Sequence, residues 1–425
     1  MSEKFQAIRG FNDILPKETL IWQQVEDALR DIFDRYGYGE IRLPLLERTE
    51  LFQRSIGEVT DIVEKEMYTF ADRNNESVTL RPEATAGCIR AGIANGMFHN
   101  ATQRLWYSGP MFRYERPQKG RYRQFYQVGC EAVGFEGPDI DAEMIFLATR
   151  LWETLGITDI RLEINSLGTS DARKAYRSVL IDYFNQHKSD LDVDSERRLT
   201  TNPMRILDSK NPALKAIIDA APSILDHLDE ESQVHFEKLQ SMLEAAGVRY
   251  SVNARLVRGL DYYTRTVFEW LTDSLGAQDA VLSGGRFDLL VELLGGKPTP
   301  AVGWAMGVER LVSLASQSGL SGRNTTPQVY LVAVGDAAVQ AGQVMAEQLR
   351  DALPELRLTM NCGAGNFKAQ LKRADRSGAT HALILGDEEV KTQTVGLKPL
   401  RNDAPQEEVA WPELASTLER RLVAN

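Results

Sequence analysis

The feature that most limits the fold of this 425-residue chain is a pair of strand-like segments separated by one polar loop. The segments cover residues 104–115 and 123–134, and the loop between them has the sequence RPQKGR (116–121). Two such runs joined by a short loop that contains glycine predict a long antiparallel hairpin. A chain that pairs its strands in hairpins is expected to form an antiparallel α+β fold rather than an alternating βαβ fold.

The segments on either side of this hairpin favour the same fold class. Residues 40–47, 77–83 and 159–165 have strand-like patterns, and Pro44 in the first of them suits a sheet edge or a bulge. Apolar residues between Glu18 and Tyr36 recur at helical spacing. We therefore expect an antiparallel sheet with helices at its edges.

The rest of the chain divides into regions of different character. Residues 170–250 contain two amphipathic helical patterns, DARKAYRSVLIDYFNQ and EESQVHFEKLQSMLEAAG, and predict a helical insertion between two parts of one core, 1–169 and 251–319. Strand-like patterning resumes at 252–272, and AVGWAMGVERLVSLAS (301–316) predicts a helix. Residues 320–327 have the composition of a linker, and 328–425 alternate strands and helices as a small α/β domain does.

Composition excludes several classes of protein. The chain has a formal net charge of −11, which argues against general coating of nucleic acid and restricts any nucleic-acid contact to a local patch. No apolar run approaches the roughly 18 residues of a membrane span, and the N-terminus lacks the apolar region of a signal peptide. The three cysteines, Cys88, Cys130 and Cys362, lie far apart, which fits a reducing cytoplasm and gives no metal-ligand spacing.

Residues 112–131 concentrate positive charge and aromatic rings in this acidic chain. Alternation along a strand places one set of side chains on one face: Arg123, Phe125, Gln127, Gly129 and Glu131. With Arg113 on the facing strand, this surface can hold an aromatic base, a phosphate and a cationic or hydrogen-donating group. The same spacing also fits the solvated face of an edge hairpin, so the pattern alone leaves both interpretations open.

A second local concentration of positive charge follows GAGNF (363–367). Lys368, Lys372 and Arg376 are spaced i, i+4 and i+8 and share one face of a predicted helix. A solvated helix face and a contact to an RNA backbone both explain this pattern.

Four separated segments resemble the motifs of bacterial histidyl-tRNA synthetases, which are class IIa members of the class II aminoacyl-tRNA synthetases. The segments are TLRPEAT (79–85), MFRYERPQKGRYRQFYQVGCE (111–131), LVRGLDYYTRTVFEW (256–270) and PAVGWAMGVERL (300–311). The similarity extends to 57–70 and 365–375, and RGLDYY points to histidine as the amino acid. The resemblance implies a class II catalytic core formed by an antiparallel sheet with flanking helices, a helical insertion and a C-terminal α/β anticodon-binding domain.

The resemblance also implies the activity. Such an enzyme is a histidine–tRNA ligase, which activates L-histidine with ATP, carried with Mg²⁺, to histidyl-adenylate and pyrophosphate. It then transfers histidine to the 3′ end of tRNA(His). The family acts as a homodimer in the cytoplasm, and Pro44 falls in the segment that forms the dimer interface. Because the phosphate chemistry needs no proton shuttle, the positions of His99, His187, His227, His235 and His381 outside the motifs agree with it.

The resemblance assigns roles to individual residues. Arg113 and Arg258 are expected to be catalytic, through donors to the charge that develops on the α-phosphate. ATP binding is expected at Arg113, Glu115, Arg121, Phe125 and Arg310. Histidine binding is expected at Glu83, Ala84, Thr85, Arg113, Gln127, Glu131, Arg258, Tyr262 and Tyr263. Contacts to tRNA are expected at Arg116, Gln118, Lys368, Lys372 and Arg376.

The chain departs from the family pattern in places. GGRFDLL (284–290) has Phe287 where the family usually has tyrosine, and Leu289 where it has glycine, so a hydroxyl contact in the histidine pocket is missing. Ala84 replaces a usual glycine, and Tyr126, which replaces a common histidine, is expected to point away from the site.

Two alternative functions are open to a chain of this kind. A regulatory subunit of ATP phosphoribosyltransferase resembles these enzymes, but typically lacks the C-terminal domain and the motif arginines. This chain retains Arg113, Arg121, Arg258 and Arg310 and has the extra domain 328–425. A synthetase for threonine, proline or glycine is disfavoured by RGLDYY and Glu131.

Overall fold

The computed structural model describes residues 4–57, 60, 62–117, 121–209, 211–258, 260, 262–275, 280–363 and 365–423. The chain divides into two compact units, one from Met1 to Gly322 and one from Arg323 to Asn425. Each unit has its own hydrophobic core.

The first unit combines helices with strands of two sheets. Its N-terminal half contains α1 (Pro16–Arg35), β1 (Gly39–Glu40), β2 (Leu46–Arg48), α2 (Thr49–Ile56), β3 (Tyr68–Ala71), β4 (Ser77–Leu80), α3 (Thr85–Ala94), β5 (Gln103–Phe112), β6 (Gln124–Val133), α4 (Pro138–Thr154) and β7 (Arg161–Ser166). Its C-terminal half contains α5 (Ser170–Gln186), α6 (Val193–Thr201), α7 (Lys215–Ala220), α8 (Glu230–Ala245), β8 (Ser251–Val252), β9 (Thr264–Leu271), β10 (Ala280–Arg286), α9 (Leu290–Leu293), β11 (Ala301–Gly307) and α10 (Val308–Gln317).

The larger sheet has the strand order β1-β5-β6-β11-β10-β9-β7-β8. Its inner pairs are antiparallel, and only the short edge strands β1 and β8 pair in parallel with their neighbours. The hairpin of β5 and β6 pairs Gln103 with Val133 at one end and Phe112 with Gln124 at the other. The prediction of an antiparallel α+β core built on this hairpin is confirmed.

Helices cover one face of this sheet because α1 has a continuous apolar stripe. Trp22, Val25, Leu29 and Ile32 are buried on it, as the helical spacing predicted. Phe33 follows on the same helix, and its ring lies 4.8 Å from that of Trp106 on β5 and 5.8 Å from that of Trp304 on β11. Side chains that alternate with these two tryptophans point to the opposite face, which remains available for a binding site.

The segment between β7 and β8 is helical, and α5 and α8 correspond to the two predicted amphipathic helices. Tyr176, Leu180 and Phe184 of α5 are fully buried in a core that includes Leu199 and Leu214. Helix α8 packs on α4, which lies against the large sheet. His235 of α8 and Asp141 of α4 are joined by a hydrogen bond of 2.7 Å.

The second unit is a smaller α/β structure. It contains β12 (Val329–Ala333), α11 (Asp336–Ala352), β13 (Leu358–Met360), α12 (Phe367–Arg376), β14 (His381–Leu385), α13 (Asp387–Thr392), β15 (Thr394–Pro399), β16 (Glu407–Ala410) and α14 (Trp411–Val423). The strand order is β13-β12-β14-β15-β16, with parallel pairing among the first three strands and antiparallel pairing among the rest. The predicted alternation of strands and helices is confirmed here.

Three predictions of secondary structure need correction. Residues 301–307 form β11 and not the start of a helix, because this apolar segment pairs with β6 on one side and β10 on the other. Residues 40–47 contribute only the ends of two short strands, and Pro44 lies between them. In the stretch 252–272, regular pairing is confined to β8 and β9.

None of the helices that the structure describes combines the length and apolar character required to cross a membrane. Nor do the described residues contain a group of three or more His, Cys, Asp and Glu side chains arranged to hold a metal ion.

Candidate active site

One cavity of about 250 Å³ opens on the face of the large sheet opposite α1. The β5–β6 hairpin, the centre of the sheet and the first turns of α3 and α10 contribute its walls. The structure brings together in this cavity most of the residues that the sequence singled out: Glu83, Thr85, Arg113, Glu115, Arg121, Phe125, Gln127, Glu131, Arg258, Tyr262, Tyr263 and Arg310.

The deepest acidic group in the cavity is Glu131, which is 1% exposed. Its Oε1 accepts a hydrogen bond of 2.8 Å from the Tyr107 hydroxyl, whereas its Oε2 has no hydrogen-bond partner among the described residues. Oε1 of the neighbouring Gln127 also lacks a partner there. Burial raises the pKa of Glu131 to about 8. Two buried acceptors without donors favour a ligand that brings donors of its own, since leaving such groups unpaired costs about 1–3 kcal/mol each.

Glu83 has a different role from Glu131, because its carboxylate is used within the protein. It accepts 2.6 Å and 3.1 Å hydrogen bonds from the backbone N–H groups of Thr85 and Ala86. These groups have no partner within the helix, because they lie at the start of α3. The two bonds fix the first turn of α3 at the edge of the cavity. Ala84, which was expected to contact histidine, is fully buried in a core with Cys88 and Leu105 and is not among the described residues that line the cavity.

Aromatic rings form the wall beside Glu131. The rings of Tyr262 and Tyr263 lie 4.7 Å apart, and the ring of Phe287 lies 5.6 Å and 6.4 Å from them. Burial raises the pKa of both tyrosines, so their hydroxyls stay neutral and able to donate. Phe287 lines the cavity as expected, whereas Leu289 borders a separate apolar cavity behind Tyr262. Tyr126 faces away from the site and packs on Trp22 at 5.3 Å.

The other half of the cavity is cationic. Nε of Arg113 donates to the Pro82 carbonyl at 2.8 Å, and its guanidinium lies 5.4 Å from the centre of the Phe125 ring. Arg121 forms an ion pair with Glu115. The backbone bond and the ring contact orient Arg113, so its remaining donors can face a bound anion.

Arg258 lies between the aromatic wall and the sheet. Its guanidinium lies 5.5 Å from the Tyr263 ring and pairs with Glu269 of β9, which also accepts a 3.1 Å hydrogen bond from the Ser283 hydroxyl. Its Nε has no hydrogen-bond partner among the described residues. The guanidinium, which lines the cavity, is therefore oriented by a carboxylate.

Of the five residues expected to contact tRNA, the four that the structure describes do not line this cavity. Arg116 is exposed in the loop after β5, and Gln118 lies outside the described residues. Lys368, Lys372 and Arg376 belong to the second unit, where all three are exposed on α12.

Comparison with known proteins agrees with the geometry. The family model described as histidyl-tRNA synthetase matches residues 10–311, and the model of an anticodon binding domain matches residues 328–421. The chain belongs to the histidyl-tRNA synthetase family. Its similarity to a histidine–tRNA ligase of Halorhodospira halophila is 59% identity over 419 residues, which covers 98% of this chain and 99% of that relative.

Solved structures of the histidyl-tRNA synthetase family share the fold. The apo crystal structure of Staphylococcus aureus histidyl-tRNA synthetase is similar with a TM-score of 0.82 and 34% identity, over 98% of this chain and all 100% of that one. A Bacillus halodurans structure described as an ATP phosphoribosyltransferase regulatory subunit/histidyl-tRNA synthetase is 21% identical, with a TM-score of 0.66 over 91% and 99% of the two chains. At that identity the second likeness shows the fold alone.

Several residues around this histidyl-tRNA synthetase site were not anticipated from the sequence. Tyr107 is one of them, and its hydroxyl occupies the space beside Gly129, where a Cβ would lie only 2.5 Å from it. Glycine at position 129 therefore accommodates the Tyr107 side chain. The others are Glu269, Ser283 and Glu309, whose contacts depend on strand register and leave no local motif.

Proposed function

We propose that this chain is a histidine–tRNA ligase, which forms histidyl-adenylate from L-histidine and ATP in the cavity and then transfers histidine to the 3′ end of tRNA(His). The observation that supports this function best is the pairing of two unsatisfied buried acceptors with a cluster of arginines in one cavity. The acceptors suit a substrate with several N–H donors, and the arginines suit a polyphosphate.

The histidine end of the proposed site is the wall formed by Glu131 and the tyrosine pair. An imidazole N–H can donate to the free Oε2 of Glu131, while the Tyr263 hydroxyl faces the ring as a neutral partner. Gln127, Glu83 and Thr85 lie at the position proposed for the α-amino group and carboxylate. The apolar ring of Phe287 closes the pocket without a hydroxyl, and it excludes water from these contacts.

The ATP end of the proposed site is the cationic half. The adenine stacks on Phe125, with Glu115 and Arg310 near its edge and Arg121 toward the pyrophosphate. Arg113 and Arg258 approach the α-phosphate from two sides, where negative charge increases as the histidine carboxylate attacks. Guanidinium donors already oriented in a water-poor pocket stabilise that charge without reorganising. Mg²⁺ is proposed to enter as part of the ATP substrate.

The proposed assembly is a cytoplasmic homodimer in which the segment around Pro44 contributes to the interface. The C-terminal unit is proposed to contact the anticodon arm through Lys368, Lys372 and Arg376, and Arg116 and Gln118 to contact the acceptor end. The regulatory-subunit alternative is disfavoured, because every arginine expected in the cavity is in place and the similarity to a histidine–tRNA ligase spans nearly the whole chain.

Pyrophosphate exchange with each of the twenty amino acids tests this function. We expect exchange of label between pyrophosphate and ATP with histidine alone, followed by charging of tRNA(His) when the tRNA is added. Exchange with a different amino acid would contradict the assignment of substrate. Absence of exchange with all twenty, in a preparation that still binds ATP, would favour the regulatory alternative.

A further inference from the structure

The junction of β11 and α10 contains an unusual link to the neighbouring strand. Pairing between β6 and β11 ends where Gln127 faces Gly307, and α10 begins at the next residue. The backbone N–H of Tyr126 lies just beyond this last pair. Instead of a strand carbonyl, Oε1 of Glu309 accepts its hydrogen bond, at 2.8 Å. A side chain thus continues the ladder by one bond past the end of the strand.

The two residues joined by this bond are each adjacent to a residue of the ATP end. Tyr126 follows Phe125 on β6, and Glu309 precedes Arg310 in the first turn of α10. Phe125, Glu309 and Arg310 all line the cavity. The ring of Tyr126 is itself held on the far side of the sheet by Trp22, so this strand position is fixed.

We infer that Glu309 is a positioning residue that sets the distance between Arg310 and Phe125 and so shapes the ATP end of the site. The inference rests on the proposed function and deepens it. Without the bond, the first turn of α10 keeps its apolar packing on the sheet through Val308 and Leu311 but loses the hydrogen bond that fixes it beside Tyr126. Arg310 would then sample positions away from a nucleotide stacked on Phe125, and affinity for ATP would fall while the histidine pocket stays intact.

The local chemistry explains why a carboxyl group suits this position. Glu309 lies in the first turn of α10, where free N–H groups favour an acceptor. Burial raises the pKa of Glu309 to about 7, and the backbone bond from Tyr126 opposes that rise. Because a neutral carboxyl group still accepts through its carbonyl oxygen, the link does not require the charge. Glutamine, of the same length, therefore retains the function, and alanine loses it.

The test uses full-length Glu309→Ala and Glu309→Gln variants. Calorimetric titration with ATP is measured beside KM values for ATP and histidine in pyrophosphate exchange. We expect Glu309→Ala to weaken ATP binding by roughly tenfold or more, because a displaced Arg310 guanidinium loses a charge-assisted hydrogen bond to the nucleotide, with the histidine KM within about twofold of wild type. Glu309→Gln should restore most of the ATP affinity. The matched control is Glu50→Ala, which changes an exposed glutamate at the same position in the first turn of α2 and should leave both substrates unaffected.

The outcomes separate this inference from the proposed function. Equal losses for ATP and histidine, or a fall in melting temperature with unchanged ATP affinity, would mean that Glu309 serves general stability only. A Glu309→Gln variant as weak as Glu309→Ala would require the negative charge and overturn the positioning role. Because the calorimetric measurement needs no turnover, it decides about Glu309 even if the wild-type protein fails to exchange with histidine.

Discussion

At the scale of a single residue, Glu131 shows that the site buries a carboxyl group whose ionised form is unfavourable there. A carboxyl group that is 1% exposed, with one unpartnered oxygen and the Tyr107 hydroxyl on the other, favours its neutral form. Its pKa is therefore raised from 4.5 to about 8. A ligand that supplies an N–H donor removes this penalty, so the same group that destabilises the free protein contributes to binding.

The raised pKa of Glu131 predicts that the stability of the protein depends on pH. The folded protein binds the Glu131 proton more tightly than the unfolded chain, so its contribution to the free energy of unfolding is lost as the pH rises from about 4.5 through about 8. Glu131→Gln keeps an acceptor for Tyr107 and does not titrate. The variant should therefore gain stability relative to wild type by a few kcal/mol between pH 5 and pH 8, measured by urea unfolding without substrates. The exposed control Glu136→Gln should show no such trend, and a pH-independent difference for Glu131→Gln would contradict the raised pKa.

Arg258 predicts a kinetic effect of a different kind. If its guanidinium stabilises charge that appears mainly in the transition state, Arg258→Ala should slow histidine-dependent pyrophosphate exchange by roughly 10²–10³-fold. ATP affinity should change far less. Arg35→Ala, which removes an exposed arginine of α1, should exchange at the wild-type rate. A near-normal exchange rate in Arg258→Ala would remove this residue from the proposed mechanism.

At the scale of secondary-structure elements, a buried ionic cluster joins the sheet to two helices. Arg286 of β10 is fully buried and pairs with Asp141 of α4 at 2.7 Å, while its other donors reach the carbonyls of Phe135 and Gly137. Asp141 also bonds His235 of α8 at 2.7 Å. Burial alone would raise the pKa of Asp141, but Arg286 and His235 together lower it below its usual value. The cluster fixes the end of β10, immediately before Phe287.

The cluster predicts a large loss of stability when one partner is removed. Asp141→Ala leaves the buried Arg286 charge with Asp288 as its remaining carboxylate partner and removes the partner of His235, and the free energy of unfolding should fall by about 3–5 kcal/mol. Asp139→Ala, an exposed change in the same first turn of α4, is the control and should cost far less. Urea titration followed by fluorescence measures both. Equal and small losses would mean that the pairing of Arg286 with Asp141 contributes little net stability.

Elements also show which parts of the structure the sequence could predict. The hairpin of β5 and β6 was predictable because its alternation and its loop are local signals. Residues 301–307 were wrongly predicted as helix, because a strand buried between two neighbours loses the alternation that distinguishes it from an apolar helix. The bond between Glu309 and Tyr126 joins residues 183 positions apart. Such a pair depends on the register of the strands, which no local sequence pattern reveals.

At the scale of the whole molecule, the distribution of charge differs from the total. The chain has a formal net charge of −11, which repels RNA at long range, so binding of tRNA must depend on local cationic surfaces. On the second unit such a surface is provided by α12, where Lys368, Lys372 and Arg376 are exposed along one face. The described residues that line the cavity all belong to the first unit. We therefore expect the first unit to activate histidine and the second unit to contribute to tRNA binding.

If the two units act separately, mutation of the second unit should affect tRNA binding without affecting histidine activation. Charge reversal at Lys368, Lys372 and Arg376 in the full-length protein should leave histidine-dependent pyrophosphate exchange unchanged and weaken tRNA(His) binding. The slope of log affinity against log salt concentration should also become shallower, by about one unit for each RNA phosphate that the protein no longer neutralises. Lys391→Glu, an exposed reversal on α13, is the control for a general change in charge.

Removal of the second unit tests whether histidine activation depends on the first unit alone. A chain that ends at Asn324, just beyond the first compact unit, should keep pyrophosphate exchange because the described cavity residues all precede that point. It should charge tRNA(His) poorly, mainly through a higher KM for tRNA. Sedimentation of the truncated chain checks that the proposed dimer persists, since loss of the dimer would by itself lower charging. A truncated dimer that charges tRNA at the full-length rate would show that residues 328–425 do not supply the RNA contacts proposed for them.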